Sequence, residues 1–126
     1  MRRMPLVFLV MMSFSGACAA ECPAASTEDV LSALRSARSC RGAAQTYKAC
    51  TRATTQDVEF AEVVIGKCET GFLARLTSKQ RDSYRRQMSR CERKYARQTG
   101  TMYRSFEASC RVNVTLRFAR ALSSTY

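Results

Sequence analysis

The sequence predicts an all-α fold, namely a small disulfide-stapled bundle of four to five helices that ends in a long helical hairpin. Three observations predict it. Apolar residues recur at steps of three and four from about residue 27 to residue 122, which is the helical period. No stretch alternates with a period of two for long enough to indicate a strand. Six of the seven cysteines follow an apolar leader, and an even number is expected of a disulfide framework.

The leader predicts export. Residues 1–3 are Met-Arg-Arg, residues 5–14 are apolar, and small residues follow through Ala20, which is the pattern of a cleaved signal peptide. We therefore expect a signal peptide over residues 1–20, a single helical domain over residues 21–126, and a periplasmic or secreted location in a bacterium. The apolar run has about ten residues, fewer than the ~20 that a transmembrane helix needs, so no transmembrane segment is expected.

A lipoprotein is the alternative to a freely released protein. Its anchor would be Cys18, which follows Ser15-Gly16-Ala17. That order resembles a bacterial lipobox only in part, because Ser15 stands where Leu is usual. Cleavage of the signal would otherwise remove Cys18 and leave six cysteines, which can be paired in fifteen ways.

Local signals divide the first half of the domain into three helices. Ser26, Glu28 and Asp29 suit a helix start, so the first helix is expected from Thr27 to Ser39, with Gly42 ending it. The second is expected over 43–54, with Thr54 to Asp57 acting as a breaker and as the cap of the next helix. The third is expected over 58–76, with a break near Gly71.

The hairpin occupies residues 77–122 and turns at Thr99-Gly100-Thr101. Thr77 and Gln80 fit a capping box at its start. At ~1.5 Å of rise per residue, Cys91 lies roughly 12 Å before the turn and Cys110 roughly 14 Å after it, which favours a disulfide between the two arms. The expected buried positions are Tyr84, Met88, Cys91 and Tyr95 on the first arm, and Tyr103, Phe106, Cys110, Val114, Phe118 and Ala121 on the second.

The hairpin also carries most of the charge. Residues 21–74 contain 6 basic and 7 acidic side chains, whereas residues 75–126 contain 13 basic and 3 acidic ones. Such a field favours anionic partners, for example anionic lipid, glycan or an acidic protein. Nucleic acid is not expected, since Tyr84, Tyr95 and Tyr103 fall on the arc assigned to the core. The residues expected to bind the anionic partner form a stripe on the outer face of the first arm: Arg86, Arg90, Arg93, Lys94 and Arg97, with Lys79 above them.

The composition argues against an enzyme. The chain has no His, which excludes His-dependent triads and His general bases. Glu59 and Glu62 are three residues apart on a polar face and are interpreted as solvent-facing charge. Cysteines paired in an oxidising compartment are not nucleophiles. We expect no catalytic residue, no metal and no cofactor.

Six features of the hairpin resemble the lysozyme inhibitor LprI-like N-terminal domain family. They are Gln80-Arg81, Cys91, Gly100-Thr101, Cys110, Thr115 and Leu122. The resemblance implies a small exported bacterial protein whose helices are stapled by paired cysteines, with lysozyme as a protein partner. It also implies Cys40–Cys50 as a first bridge, which leaves Cys22 and Cys68 for a third.

The chain departs from that family in two places. It has no Trp, with Ser83 where a Trp is usual, and Gln87-Met88 replaces the usual Arg-Asp pair. Familiar lysozymes are cationic and would be repelled by the basic arm, so inhibition would have to come from the N-terminal half. The expected function is an exported helical binding protein, with lysozyme inhibition implied by the resemblance. The alternatives are envelope or host-surface binding of anionic lipid or glycan through the Arg-rich face, and a stapled bundle whose partner leaves no trace in the sequence.

Overall fold

The computed structural model describes residues 21–122 and 126, and in this part of the chain all regular structure is helical. The leader, including Cys18, lies outside the described residues. Five α-helices follow one another, and a single 3-10 turn at Leu73–Arg75 separates the third from the fourth. They are α1 (Thr27–Ser36), α2 (Cys40–Cys50), α3 (Gln56–Glu69), α4 (Ser78–Tyr95) and α5 (Thr101–Leu122). The predicted all-α bundle with a terminal hairpin is confirmed.

Short polar side chains fix the helix starts. Ser26 caps α1 by accepting from the backbone N–H of Asp29 at 3.1 Å. Thr77 and Gln80 form the predicted capping box of α4, with bonds of 3.2 and 2.9 Å between side chain and backbone. Gly100 has a φ of 113°, a conformation that glycine adopts without steric cost, and it makes the turn between α4 and α5.

Three boundaries of the first two helices differ from the expectation. The helix expected to run to Ser39 ends at Ser36, and Gly42 lies in the first turn of α2 instead of ending α1. The reason is Ser39, whose hydroxyl accepts from the backbone N–H of Gly42 at 3.0 Å and starts α2 three residues early. α2 correspondingly ends at Cys50 and not at Thr54. The expected break near Gly71 is confirmed.

All six cysteines of the described chain form disulfides. Cys91 and Cys110 join the hairpin arms as predicted, with their Cα atoms 5.7 Å apart. The pairing Cys40–Cys50 is wrong, as is the bridge left for Cys22 and Cys68. Cys40 and Cys50 are the two ends of α2, about 15 Å apart along the helix, too far for a disulfide. The bridges are instead Cys22–Cys50 and Cys40–Cys68, each with Cα atoms 4.7 Å apart.

α5 lies at the centre, packed on α3 along one side, on α4 along another and on part of α2. Its buried surface is therefore wider than one stripe. Two residues of the predicted inner arc, Phe106 and Ala121, are exposed, so their assignment to the core is wrong. The residues of α5 that are buried are Ser105, Ala108, Val112, Val114, Thr115, Leu116 and Ala119.

Candidate functional site: the basic face of the fourth helix

α4 contacts the rest of the molecule through one side. Tyr84 and Cys91 are buried on that side, where Tyr84 packs edge-on against Phe72 and Phe118 with ring centroids 5.4 and 5.0 Å away. The opposite side faces solvent along the whole helix. Every cation of the predicted stripe is exposed there: Lys79, Arg86, Arg90, Arg93, Lys94 and Arg97. At ~1.5 Å per residue, the segment from Arg86 to Arg97 spans roughly 16 Å. The structure thus brings all of them to one continuous surface, called the basic face from here on.

The cations of the basic face have no acidic partner within the described residues. No carboxylate there comes within 4.0 Å of any of them, and their side chains make no hydrogen bond with the rest of the described chain. Asp82 lies four residues before Arg86 and so on the same side of α4, and Glu92 lies farther round the helix, but neither carboxylate is paired with these cations. Within the described residues, none of these cations is therefore neutralised by an ion pair.

Several basic residues elsewhere contact other parts of the chain. Arg52, Lys67 and Arg75 donate to backbone carbonyls at 2.9, 3.0 and 2.6 Å. Arg35 and Arg111 pair with carboxylates of Glu28 and Glu62. These side chains stabilise loops and helix contacts. Exposed cations without such a partner also occur singly elsewhere, as at Lys48, so what distinguishes the basic face is the number of unpaired cations along one side of a helix.

The basic face works against the helix that carries it. Arg86 and Arg90, and likewise Arg90 and Lys94, are four residues apart in α4, and like charges at that spacing destabilise a helix by about 0.2–0.5 kcal/mol per pair. Cations near the C-terminus of α4 recover part of this through the helix dipole. Neither effect calls for a stripe that runs over three turns, so packing and stability do not explain it.

The polar groups of the interior serve the fold. The Tyr84 hydroxyl donates to Glu69 at 2.8 Å and lies 2.9 Å from the Thr115 hydroxyl, so it joins α3, α4 and α5. Burial raises the pKa of Tyr84 well above its usual value, and the neighbouring Glu69 raises it further. Burial also raises the pKa of Tyr47, whose hydroxyl lies 2.9 Å from that of Ser109. Both hydroxyls are occupied by protein partners and do not face a ligand.

The sequence assigns Asp57 to a helix cap. In the structure its carboxylate accepts hydrogen bonds from the loop before α3 and from α5. Asp57 is fully buried at the start of α3, and its carboxylate accepts from the backbone N–H groups of Arg52 and Thr54. Ser105 of α5 donates a third hydrogen bond. Its oxygens are thus satisfied from within the chain. Glu59 and Glu62 are exposed, as interpreted from the sequence.

Sequence reasoning missed an apolar component beside the basic face. Met102 and Phe106, in the first two turns of α5, are the large hydrophobic side chains exposed in the described chain, at 45% and 42%. A signal was present. The segment from 96 to 101 that precedes them, Ala-Arg-Gln-Thr-Gly-Thr, has no large apolar side chain to cover them.

Within the described residues, no three His, Cys, Asp or Glu side chains gather in a group that could hold a metal ion. None of the helices between residues 21 and 122 combines the length and the apolar composition that a membrane span requires. Comparisons of the chain with models of protein families, with curated proteins and with solved structures found no match.

Proposed function

We propose that this protein is an exported binding protein that attaches to an anionic component of the cell envelope or of a host surface through the basic face of α4. The exposed row of cations, none of which forms an ion pair in the described chain, carries the proposal. Phosphate, sulfate or carboxylate groups repeated along a lipid surface or glycan would supply the charge that the protein itself does not.

Export is supported by two features. Three disulfides fit the oxidising compartments that exported proteins reach, and the order of residues 1–20 is that of a signal peptide. The bridges also suit the role. Two of them tie the N-terminal segment, α2 and α3 together, and the third joins the two arms of the hairpin, so the basic face is presented on a scaffold whose unfolded chain is restricted.

Salt provides the first test. We expect the oxidised protein to bind heparin and vesicles that contain phosphatidylglycerol at low ionic strength, with affinity that falls steeply as the Debye length shrinks from about 10 Å at ~0.1 M to about 3 Å at ~1 M. Binding that does not change with salt would contradict the proposal, as would no binding at low salt.

A charge-matched pair of double variants provides the second test. Arg86→Glu with Arg90→Glu reverses two charges on the basic face, and we expect binding at low salt to weaken at least about thirtyfold, since each cation near an anionic surface contributes about 1 kcal/mol. The control, Arg38→Glu with Arg41→Glu, changes the net charge equally at exposed positions of the first half. It should retain most of the affinity. Equal losses in both variants would show that only total charge matters.

Lysozyme inhibition is a second candidate. The resemblance to the LprI-like family supports it, and so does the Cys91–Cys110 bridge, which lies at the cysteine positions through which the hairpin resembles that family. Since familiar lysozymes are cationic, the inhibitory surface would lie in residues 21–74, where basic and acidic residues are balanced. Oxidised protein in micromolar excess should then slow lysozyme, and Arg86→Glu with Arg90→Glu should leave the inhibition intact or strengthen it. An unchanged lysozyme rate would refute this candidate.

A further inference from the structure

The tip of the hairpin combines exposed apolar side chains with exposed cations. Met102 and Phe106 are four residues apart on α5, so they project from the same side of the helix. The ring of Phe106 is supported by Tyr95 and Tyr103, with centroids 6.3 and 6.2 Å away. The exposed apolar surface is therefore a small cluster at the hairpin tip, supported by neighbouring aromatic rings, and not one isolated side chain.

The surroundings of this cluster are positive. No acidic residue occurs between Arg93 and Phe106. The carboxylate of Glu107, next in sequence, is paired with Arg104 at 3.1 Å. Lys94 and Arg97, which precede and follow Tyr95 within two residues, are exposed, and the Lys94 ammonium lies 5.2 Å from the centre of the Tyr95 ring.

Arg104 has a different role from those two cations. Its guanidinium donates to the backbone carbonyls of Tyr95 and Gln98 at 3.2 and 3.4 Å, which satisfies the free carbonyls after the end of α4. It fixes the shape of the tip, while Lys94 and Arg97 are left for a partner.

The combination of chemistries selects among partners. A densely sulfated glycan or a phosphate chain would neutralise Lys94 and Arg97 but has little apolar surface to set against both Met102 and Phe106. A second copy of the chain could cover the apolar pair, but a two-fold contact would bring the same cations of both copies together, and like charges repel. An anionic bilayer meets both requirements, because its phosphates lie directly above an apolar layer.

We infer that the hairpin tip enters the interface of an anionic bilayer, with Met102 and Phe106 at the acyl boundary and Lys94 and Arg97 at the phosphates. The tyrosines suit this depth, since aromatic rings with a polar end concentrate at the membrane interface. The inference rests on the proposed function and names its partner: the basic face supplies electrostatic attraction, and the tip adds apolar contact that a soluble polyanion cannot offer.

A variant at the tip separates the two contributions. Met102→Ser with Phe106→Ser removes exposed apolar surface and no charge. The protein is recovered with its disulfides formed from an exporting host, and its N-terminus is defined by mass spectrometry. We expect binding to vesicles of phosphatidylcholine with phosphatidylglycerol to weaken about tenfold, because two half-exposed side chains lose their apolar contact. Binding to heparin should stay within about twofold, on the same electrostatic argument.

Each other outcome has a defined meaning. Unchanged vesicle binding by the variant would overturn the inference and leave the proposed function standing. Equal loss for heparin and vesicles would also overturn it, since the pair would then serve the general anion surface. If the unchanged protein binds neither probe, the proposed function fails and the inference with it. Self-association that the variant abolishes, measured by sedimentation without vesicles, would assign the patch to a second copy instead.

A fluorescent probe reports the position of the tip independently of affinity. The chain contains no Trp, so a single introduced one gives the whole signal. In Met102→Trp, emission should shift to shorter wavelength with phosphatidylglycerol vesicles and be quenched by lipids brominated on their acyl chains. In the control Gln45→Trp, on the exposed side of α2, neither change should occur. A Trp at position 102 that stays unshifted when the protein is bound would overturn the inference.

Discussion

The hydroxyl of Ser105 donates a hydrogen bond of 2.6 Å to the fully buried carboxylate of Asp57, across 48 residues of sequence. The same carboxylate accepts from the backbone N–H groups of Arg52 and Thr54 in the loop between α2 and α3. One acidic side chain therefore fixes the loop, the start of α3 and the register of α5.

Removing the hydroxyl should be costly. Ser105→Ala leaves a buried charge with one donor fewer, and we expect the free energy of unfolding to fall by about 2 kcal/mol, as measured by urea unfolding of the oxidised protein. Ser32→Ala is the control, since Ser32 lies on the exposed side of α1 and its change should have almost no effect. A loss below about 0.5 kcal/mol for Ser105→Ala would show that the buried carboxylate does not depend on it.

The loop held by Asp57 contains a strained residue. Ala53 has a φ of 59°, in the left-handed region that costs a residue with a Cβ about 1–2 kcal/mol. Ala53→Gly should raise the free energy of unfolding by about 0.5–1 kcal/mol, the strain released less the entropy that glycine adds to the unfolded chain. Ala33→Gly, inside α1, should instead lower it by about 1 kcal/mol. A lower free energy of unfolding in Ala53→Gly would contradict the backbone strain assigned to Ala53.

Alkaline pH should weaken the fold through Tyr84. Burial, joined by Glu69, raises its pKa above the ordinary 10.0, so the folded protein holds the phenol proton more tightly than the unfolded chain does. Its contribution is complete below pH 10 and is lost progressively as the pH rises toward the folded pKa. Thermal unfolding temperatures measured on both sides of pH 10 should show the decline.

A phenylalanine variant tests whether Tyr84 causes the loss of stability at alkaline pH. Tyr84→Phe should lose about 1 kcal/mol of stability at neutral pH, from its hydrogen bond, and should decline less steeply above pH 10. Tyr103→Phe is the control, because the Tyr103 hydroxyl makes no hydrogen bond in the described chain. Its alkaline decline should match that of the unchanged protein. A full decline in Tyr84→Phe would move the effect to another group, with buried Tyr47 the next to test.

The disulfide pairing can be determined from the masses of the linked peptides in a tryptic digest, with no second protease. At least one Arg or Lys separates each cysteine of the predicted mature chain from the next, so a non-reducing digest puts all six in different peptides. A linked pair of 39–41 with 49–52 would contradict the structure and restore the pairing that the family resemblance implied. The expected linked pairs are 39–41 with 68–75, 49–52 with the N-terminal peptide that ends at Arg35, and 91–93 with 105–111.

The sequence by itself determined what depends on near neighbours along the chain. The capping box at Thr77, the turn at Gly100 and the basic face of α4 follow from spacings of three or four residues, and the structure has all of them. Cys91–Cys110 belongs to the same group, because a helical hairpin with one turn fixes which residues stand at the same level. The sequence was therefore enough to predict that the candidate site is exposed, but not what binds there.

Tertiary structure decided everything that needed the relative placement of three or more helices. The partners of Cys40 and Cys50 depend on how α2 lies against α3 and the N-terminal segment. The buried side of α5 depends on its being covered by both α3 and α4, which no single helical period can express. For the same reason Phe106, an aromatic on an apolar stripe, was expected inside and lies outside. Periodicity reports which residues share a face of a helix, and only packing decides which faces are covered.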